Sequence, residues 1–155
     1  MSDTTKPTLA DVEAAALRLL SRRDHGRGEL ADKLRRRQLP PEHIEVVLDE
    51  LEARGYLDDA RFAEEQGAIL ARKCWGPRQI AHKLRSRGID QANVDAALAE
   101  IARREVWKDR ARQRLLSRFG EPSELDQSQK QRAYRHLTYR GYSPGLVRGI
   151  LFDES

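Results

Sequence analysis

The chain has 155 residues, a formal net charge of +4 and 39% apolar residues. That suits one compact unit, or a short array of small units, built from thin helices that each bury a single stripe. No run of about 18 apolar residues exists to span a membrane, "MSDTTKPTLADVE" lacks the basic-then-apolar order of a secretory signal, and the single cysteine, Cys74, supplies neither a disulfide framework nor a zinc site. A soluble, cytoplasmic protein is expected.

In chain order, Thr8 is placed to cap a first helix that buries Val12, Ala16, Leu19 and Leu20. "HGRG" (25–28) bridges to a second helix ending near Gln38, and Pro40 and Pro41 start a third. Its apolar residues Ile44, Val47, Leu48 and Leu51 fall at i, i+3, i+4 and i+7. "GYLDDARFAEE" (55–65) then opens a fourth helix running to about Cys74. Here Asp58 is the expected N-cap and Asp59 lies in the first turn, at the positive end of the dipole. Leu57 and Phe62 form a hydrophobic staple, and Arg61 pairs with Glu65 one turn on. Gly76-Pro77 starts the fifth helix and Gly88 ends it; Asp90 caps a sixth that buries Val94, Ala97, Leu98 and Ile101. Trp107, Ala111, Leu115 and Phe119 mark a seventh helix. The polar loop "GEPSELDQSQ" leads to an eighth, which ends at Gly141. Ser143 and Pro144 begin the ninth.

The pattern repeats. "ELADKLRRRQLPPEHIEVVLDEL" (29–51), "QIAHKLRSRGIDQANVDAALAEI" (79–101) and "QRAYRHLTYRGYSPGLVRGILF" (131–152) align Leu34 with Leu84 and Leu137, and Leu48 with Leu98 and Leu151. The offsets are 50 and then 53 residues. No stretch alternates at period two. The expected fold is all-α: an elongated array of three tandem three-helix, helix-turn-helix-like repeats. A flexible N-terminus at 1–7 precedes repeats at 8–57, 58–102 and 103–155, the last with a loop at about 120–128.

The chemistry of catalysis is missing from the motifs. There is no phosphate-binding glycine loop, and His25, His43, His82 and His136 have no partner at metal-ligand spacing. No enzyme activity, metal or cofactor is expected. Each carboxylate of "GYLDDARFAEE" has a structural occupation, with a protein-contact role for the acidic segment Asp58, Asp59, Glu64 and Glu65 as the alternative.

Charge is segregated. Residues 49–65 carry seven acidic and two basic side chains, whereas residues 66–148 carry eighteen basic and eight acidic ones. The basic residues are 23 Arg and 6 Lys, a bias that suits phosphate or carboxylate partners, although base composition of the genome produces it too. The first helix of each aligned pair is basic: Lys33, Arg35, Arg36 and Arg37; Lys83, Arg85 and Arg87; Arg132, Arg135 and Arg140. Stacked repeats would align these into a ridge for DNA or an acidic protein, a solvated face being the alternative. The second helix of repeat two carries three acids and no base, which argues against insertion into a major groove. Tyr134, Tyr139 and Tyr142 are packing residues first and base-stacking platforms second.

"GYLDDARFAEE", "WGPRQIAHKLRSRGI" and "VDAALAEI" resemble the RecX family of recombinase regulators, and the resemblance runs from about Val12 to Phe152. Repeat three is the loosest part, and repeat one departs from the pattern at Gln38 and in its "HGRG" lead-in. The resemblance implies a non-enzymatic monomer that binds the RecA filament. It would modulate, mainly inhibit, ATP hydrolysis, strand exchange and co-protease activity, with non-specific contact to single- or double-stranded DNA. The alternative is a helical architectural or transcriptional DNA-binding protein that acts without RecA.

Overall fold

The computed structural model describes residues 6–152, so most of the N-terminal segment expected to be flexible lies outside the described residues. Among the described residues nine α-helices follow one another: α1 (Leu9–Arg22), α2 (Arg27–Arg36), α3 (Pro41–Ala53), α4 (Asp59–Arg72), α5 (Pro77–Ser86), α6 (Gln91–Arg104), α7 (Trp107–Arg118), α8 (Gln127–Tyr139) and α9 (Pro144–Phe152). A single 3-10 turn, Pro122–Glu124, lies between α7 and α8, and no strand occurs among the described residues.

Local chemistry sets the helix ends. Thr8 accepts from the Asp11 amide while Asp11 accepts from the Thr8 amide, a reciprocal capping box. Asp58 and Asp90 cap α4 and α6 through the amides of Arg61 and Asn93, and Ser143 accepts from the Leu146 amide at the start of α9. Asp126 and Gln129 form a second capping box on α8.

The helices bury their stripes in three separate cores. The first joins Val12, Ala16 and Leu19 of α1 to Leu30 and Leu34 of α2 and to Ile44, Leu48 and Leu51 of α3. The second joins Phe62 and Ala63 of α4 to Ile80, Leu84, Val94 and Ile101. Ala111, Leu115, Leu137, Tyr142, Val147 and Leu151 form the third. Trp107 packs against both the second and third cores. Burying each large apolar side chain contributes about 1.5–3 kcal/mol, so three small cores carry what one large core would carry elsewhere. Leu57 is buried in the first core and Phe62 in the second, so the expected staple pair is shared between two repeats.

Successive repeats meet through glycine. At the first joint Gly88, in the turn between α5 and α6, lies against Gly28 near the start of α2. A Cβ on Gly88 would stand 2.5 Å from the Glu29 amide nitrogen. At the second joint Gly141, between α8 and α9, lies against Gly76, and a Cβ on Gly76 would stand 2.5 Å from the Gly141 carbonyl carbon. Gly88 and Gly141 also have φ of 81° and 103°, the left-handed region. Gln38 adopts that conformation too, with φ 61°, at the equivalent turn of repeat one, where no earlier repeat docks among the described residues.

Candidate binding surface

The ten basic residues expected to form a ridge divide into two groups. Arg35, Arg36, Arg37, Arg85, Arg132 and Arg135 are exposed, while Lys33, Lys83 and Arg87 are half-buried and Arg140 is buried at 8% exposure. The buried group works at the joints. A single continuous ridge of all ten therefore does not form.

The reason is positional. Lys33 and Lys83 occupy the same place in their repeats and turn toward the residue just before Gly26 and Gly76 respectively. Lys33 Nζ lies 2.9 Å from His25 Nε2, and Lys83 Nζ sits 4.1 Å above the Trp75 ring. His25 is 3% exposed, and its Nδ1–H donates to the Arg23 carbonyl, so Nε2 is left to accept from the Lys33 ammonium. Burial first, then the charges of Arg23 and Lys33, push its pKa down despite that bond.

Arg140 reaches across the second joint. Its guanidinium donates to the carbonyls of Lys73 and Cys74 at the end of α4 and stacks 3.6 Å from the Trp75 ring centroid. Tyr142, fully buried, donates its hydroxyl to the same Cys74 carbonyl at 2.8 Å, which removes it as a base-stacking platform. Tyr139, 67% exposed, approaches Trp75 with ring centroids 6.5 Å apart. The amides of Gly76 and Arg78 donate to the carbonyls of Arg140 and Gly141 at 2.7 and 3.1 Å. Arg87, the counterpart of Arg140, instead lies 3.4 Å from Glu29 and 4.9 Å from the Phe62 ring centroid. Its buried Nε makes no hydrogen bond among the described residues.

The acidic segment is mostly neutralised within the protein. Arg27, at the start of α2, meets Glu45, Asp49 and Glu52 at 2.8–2.9 Å. Burial opposes its charge, but the hydrogen bonds it donates to the three carboxylates more than offset this and raise its pKa. Arg54 spans Glu13 and Glu50, and Arg61 pairs with Glu65 at 2.9 Å. Asp59 is half-buried and accepts from the Arg27 amide at 2.8 Å, so the start of α4 also caps the start of α2. Burial raises its pKa, and nearby Glu52 and Asp90 add to the rise against the lowering effect of the Arg27 amide bond. Asp58 and Glu64 are exposed.

Sequence reasoning missed the joint residues His25, Gly26, Arg27 and Glu29. The signal was present: Gly26 stands 50 residues before Gly76, the repeat offset, so "HGRG" is the counterpart of "WGPR". Among the described residues, no three His, Cys, Asp or Glu side chains gather to hold a metal ion. No helix there is long and apolar enough to cross a membrane.

Comparison with known proteins agrees with this architecture. Residues 14–51 match the model of the first three-helix domain of RecX, and residues 58–98 match its second three-helix domain. A "Regulatory protein RecX" of Pseudomonas fluorescens is 37% identical over 144 residues, covering 93% of this chain and 92% of the relative. Another, of Cronobacter sakazakii, is 38% identical over 146 residues, covering 87% of each. A crystal structure of a regulatory protein RecX superposes with a TM-score of 0.75 at 26% identity, over 94% of this chain and 74% of the other. RecX from Lactobacillus salivarius shares the fold, with a TM-score of 0.77 at 21% identity over 94% and 95% of the two chains. With both family domains matched and relatives aligned along nearly its whole length, this chain belongs to the RecX family.

Proposed function

We propose that this chain is a non-enzymatic, monomeric regulator that binds the RecA recombinase on DNA in the cytoplasm. It lowers ATP hydrolysis, strand exchange and co-protease activity, and so acts in recombinational repair and the SOS response. The observation that carries the reading is alignment over 93% of the chain with a relative named a regulatory protein. Physical form supports it. Three small units joined in series reach successive protomers of a filament, so contacts that are weak singly act together.

The contact residues follow from exposure. Arg35, Arg36, Arg37, Arg85, Arg132 and Arg135 face DNA or an acidic protein surface, and Asp58, Glu64 and Glu65 face a basic one, while Asp59 turns inward to the Arg27 amide. Titrating the protein into RecA-coated single-stranded DNA should depress ATP hydrolysis progressively, and charge reversal at Arg36 and Arg85 should weaken the effect and its salt dependence. Unchanged hydrolysis at saturating protein, together with tight binding to naked duplex, would select the architectural DNA-binding alternative. That alternative draws its support from the same exposed arginines.

A further inference from the structure

Repeats one and three treat their arginines differently. In repeat one Arg23, Arg27, Arg35 and Arg54 all face carboxylates at 2.8–3.1 Å. Within α7 and α8 of repeat three Arg110 does so, through Glu105 at 2.6 Å, whereas Arg112, Arg118, Arg132 and Arg135 have no carboxylate partner among the described residues. Two of these, Arg118 from the end of α7 and Arg132 from α8, line an open groove with Phe119, Leu125, Gln129 and His136.

We propose that this α7–α8 groove is an anion site that holds a backbone phosphate of single-stranded nucleic acid, with Arg118 and Arg132 gripping it from opposite walls beside the His136 imidazole. Planar guanidinium forks match phosphate oxygens, and here no internal carboxylate competes for them. Phe119, half-buried with its ring centroid 5.6 Å from that of His136, gives the groove an apolar wall on which a base can rest. Single-stranded nucleic acid supplies both a phosphate and a flat apolar face, whereas an acidic peptide supplies only the charge.

His136 couples the site to protons. It takes the position that Lys33 and Lys83 hold in the other repeats, and its Nε2 accepts from Arg114 Nε at 3.0 Å, which leaves the ring proton on Nδ1. Burial, then the cations Arg114 and Arg118 of α7 and Arg140 just after α8, hold its pKa down to about 4, and Arg132 lies on the same groove. The imidazole is therefore neutral at pH 7 in the empty site. A phosphate placed among these cations offsets their charge and raises that pKa, so binding takes up protons and strengthens as pH falls.

This inference concerns the protein alone and does not rest on the RecA reading. The test is fluorescence anisotropy of a labelled oligo-dT with the isolated full-length protein, at constant ionic strength between pH 7 and 5 and over a salt series. Wild type should bind more tightly at pH 5 than at pH 7. R118A/R132A should bind about tenfold more weakly with a salt slope reduced by about 0.7, the share of one phosphate contact on a single strand. H136Q should still bind but lose the pH dependence. Both arginines are exposed, so an unaltered thermal melt checks that the double variant is folded. Equal binding by R118A/R132A and wild type, or displacement of the oligonucleotide by poly-glutamate at matched charge, would overturn the proposal.

Discussion

The two joints of the array occupy equivalent positions, use the same glycine-on-glycine approach and are held in different ways. At the second, five hydrogen bonds cross between repeats: two from the amides of Gly76 and Arg78, two from Arg140 and one from Tyr142. At the first, the corresponding carbonyls, of Arg23 and Asp24, are satisfied locally by His25 and by the Arg23 guanidinium. Arg87 turns away from them to Glu29, and the crossing is left to this ion pair and the Asp59–Arg27 hydrogen bond. A small change in who satisfies two carbonyls thus converts a hydrogen-bonded seam into an electrostatic one. The second seam contains no carboxylate to protonate and so withstands acid, whereas the first, made of carboxylates, responds to both acid and salt.

Breaking the second joint should have the largest effect. Gly141→Ala combines a φ of 103° with a Cβ placed 2.5 Å from the Gln79 amide nitrogen, and should cost about 3 kcal/mol, read as a fall in melting temperature. Arg140→Ala should follow at about 2 kcal/mol, because it strands the Lys73 carbonyl, leaves the Cys74 carbonyl to Tyr142 alone and removes the cation over Trp75. A shift in Trp75 emission, measured in a Trp107→Phe background, would report the loss at the joint itself.

Acid should separate the joints. Burial works against the Glu29 carboxylate, but the Arg23 hydrogen bonds and the charges of Arg87 and Arg23 hold its pKa below the ordinary 4.5. A lowered folded-state pKa gives stability that is present above the ordinary value and lost as pH falls through the folded one. Amide exchange, corrected for intrinsic rates, should therefore show the Gly88 amide, in the turn beside Arg87, losing protection between pH 5 and 3 while the Arg78 amide keeps it. Glu29→Gln should flatten that difference, a change of about 1 kcal/mol. Asp59 has the opposite sign: its raised pKa means that its contribution is present in acid and lost as pH rises through the folded value. Asp59→Asn should accordingly be close to neutral at pH 7, because the amide oxygen still accepts from Arg27, whereas Asp59→Ala should cost about 1 kcal/mol in a denaturant titration.

Much of the fold was legible along the chain. The caps Thr8, Asp58, Asp90 and Ser143 and the glycine turns at Gly88 and Gly141 act between neighbours in sequence, so local chemistry locates them. The buried stripes of α3 and α6 likewise follow from helical period alone. The candidate surface was less legible. Arg37, Arg87 and Arg140 are equivalent by repeat, yet Arg37 is exposed, Arg87 is half-buried and Arg140 is buried. Among the described residues, the second and third have an earlier repeat to touch and the first has none.

Repetition, helical periodicity and capping by themselves determined that this is an all-α chain of three related helical units. These signals act over a few residues or one repeat period, and each has a local physical cause. Tertiary structure decided which charges are spent inside the molecule and which face outward. That depends on contacts between residues 32 to 67 positions apart, such as Asp59 with Arg27 and Arg140 with Lys73, where burial and hydrogen-bond demand outweigh the identity of the side chain.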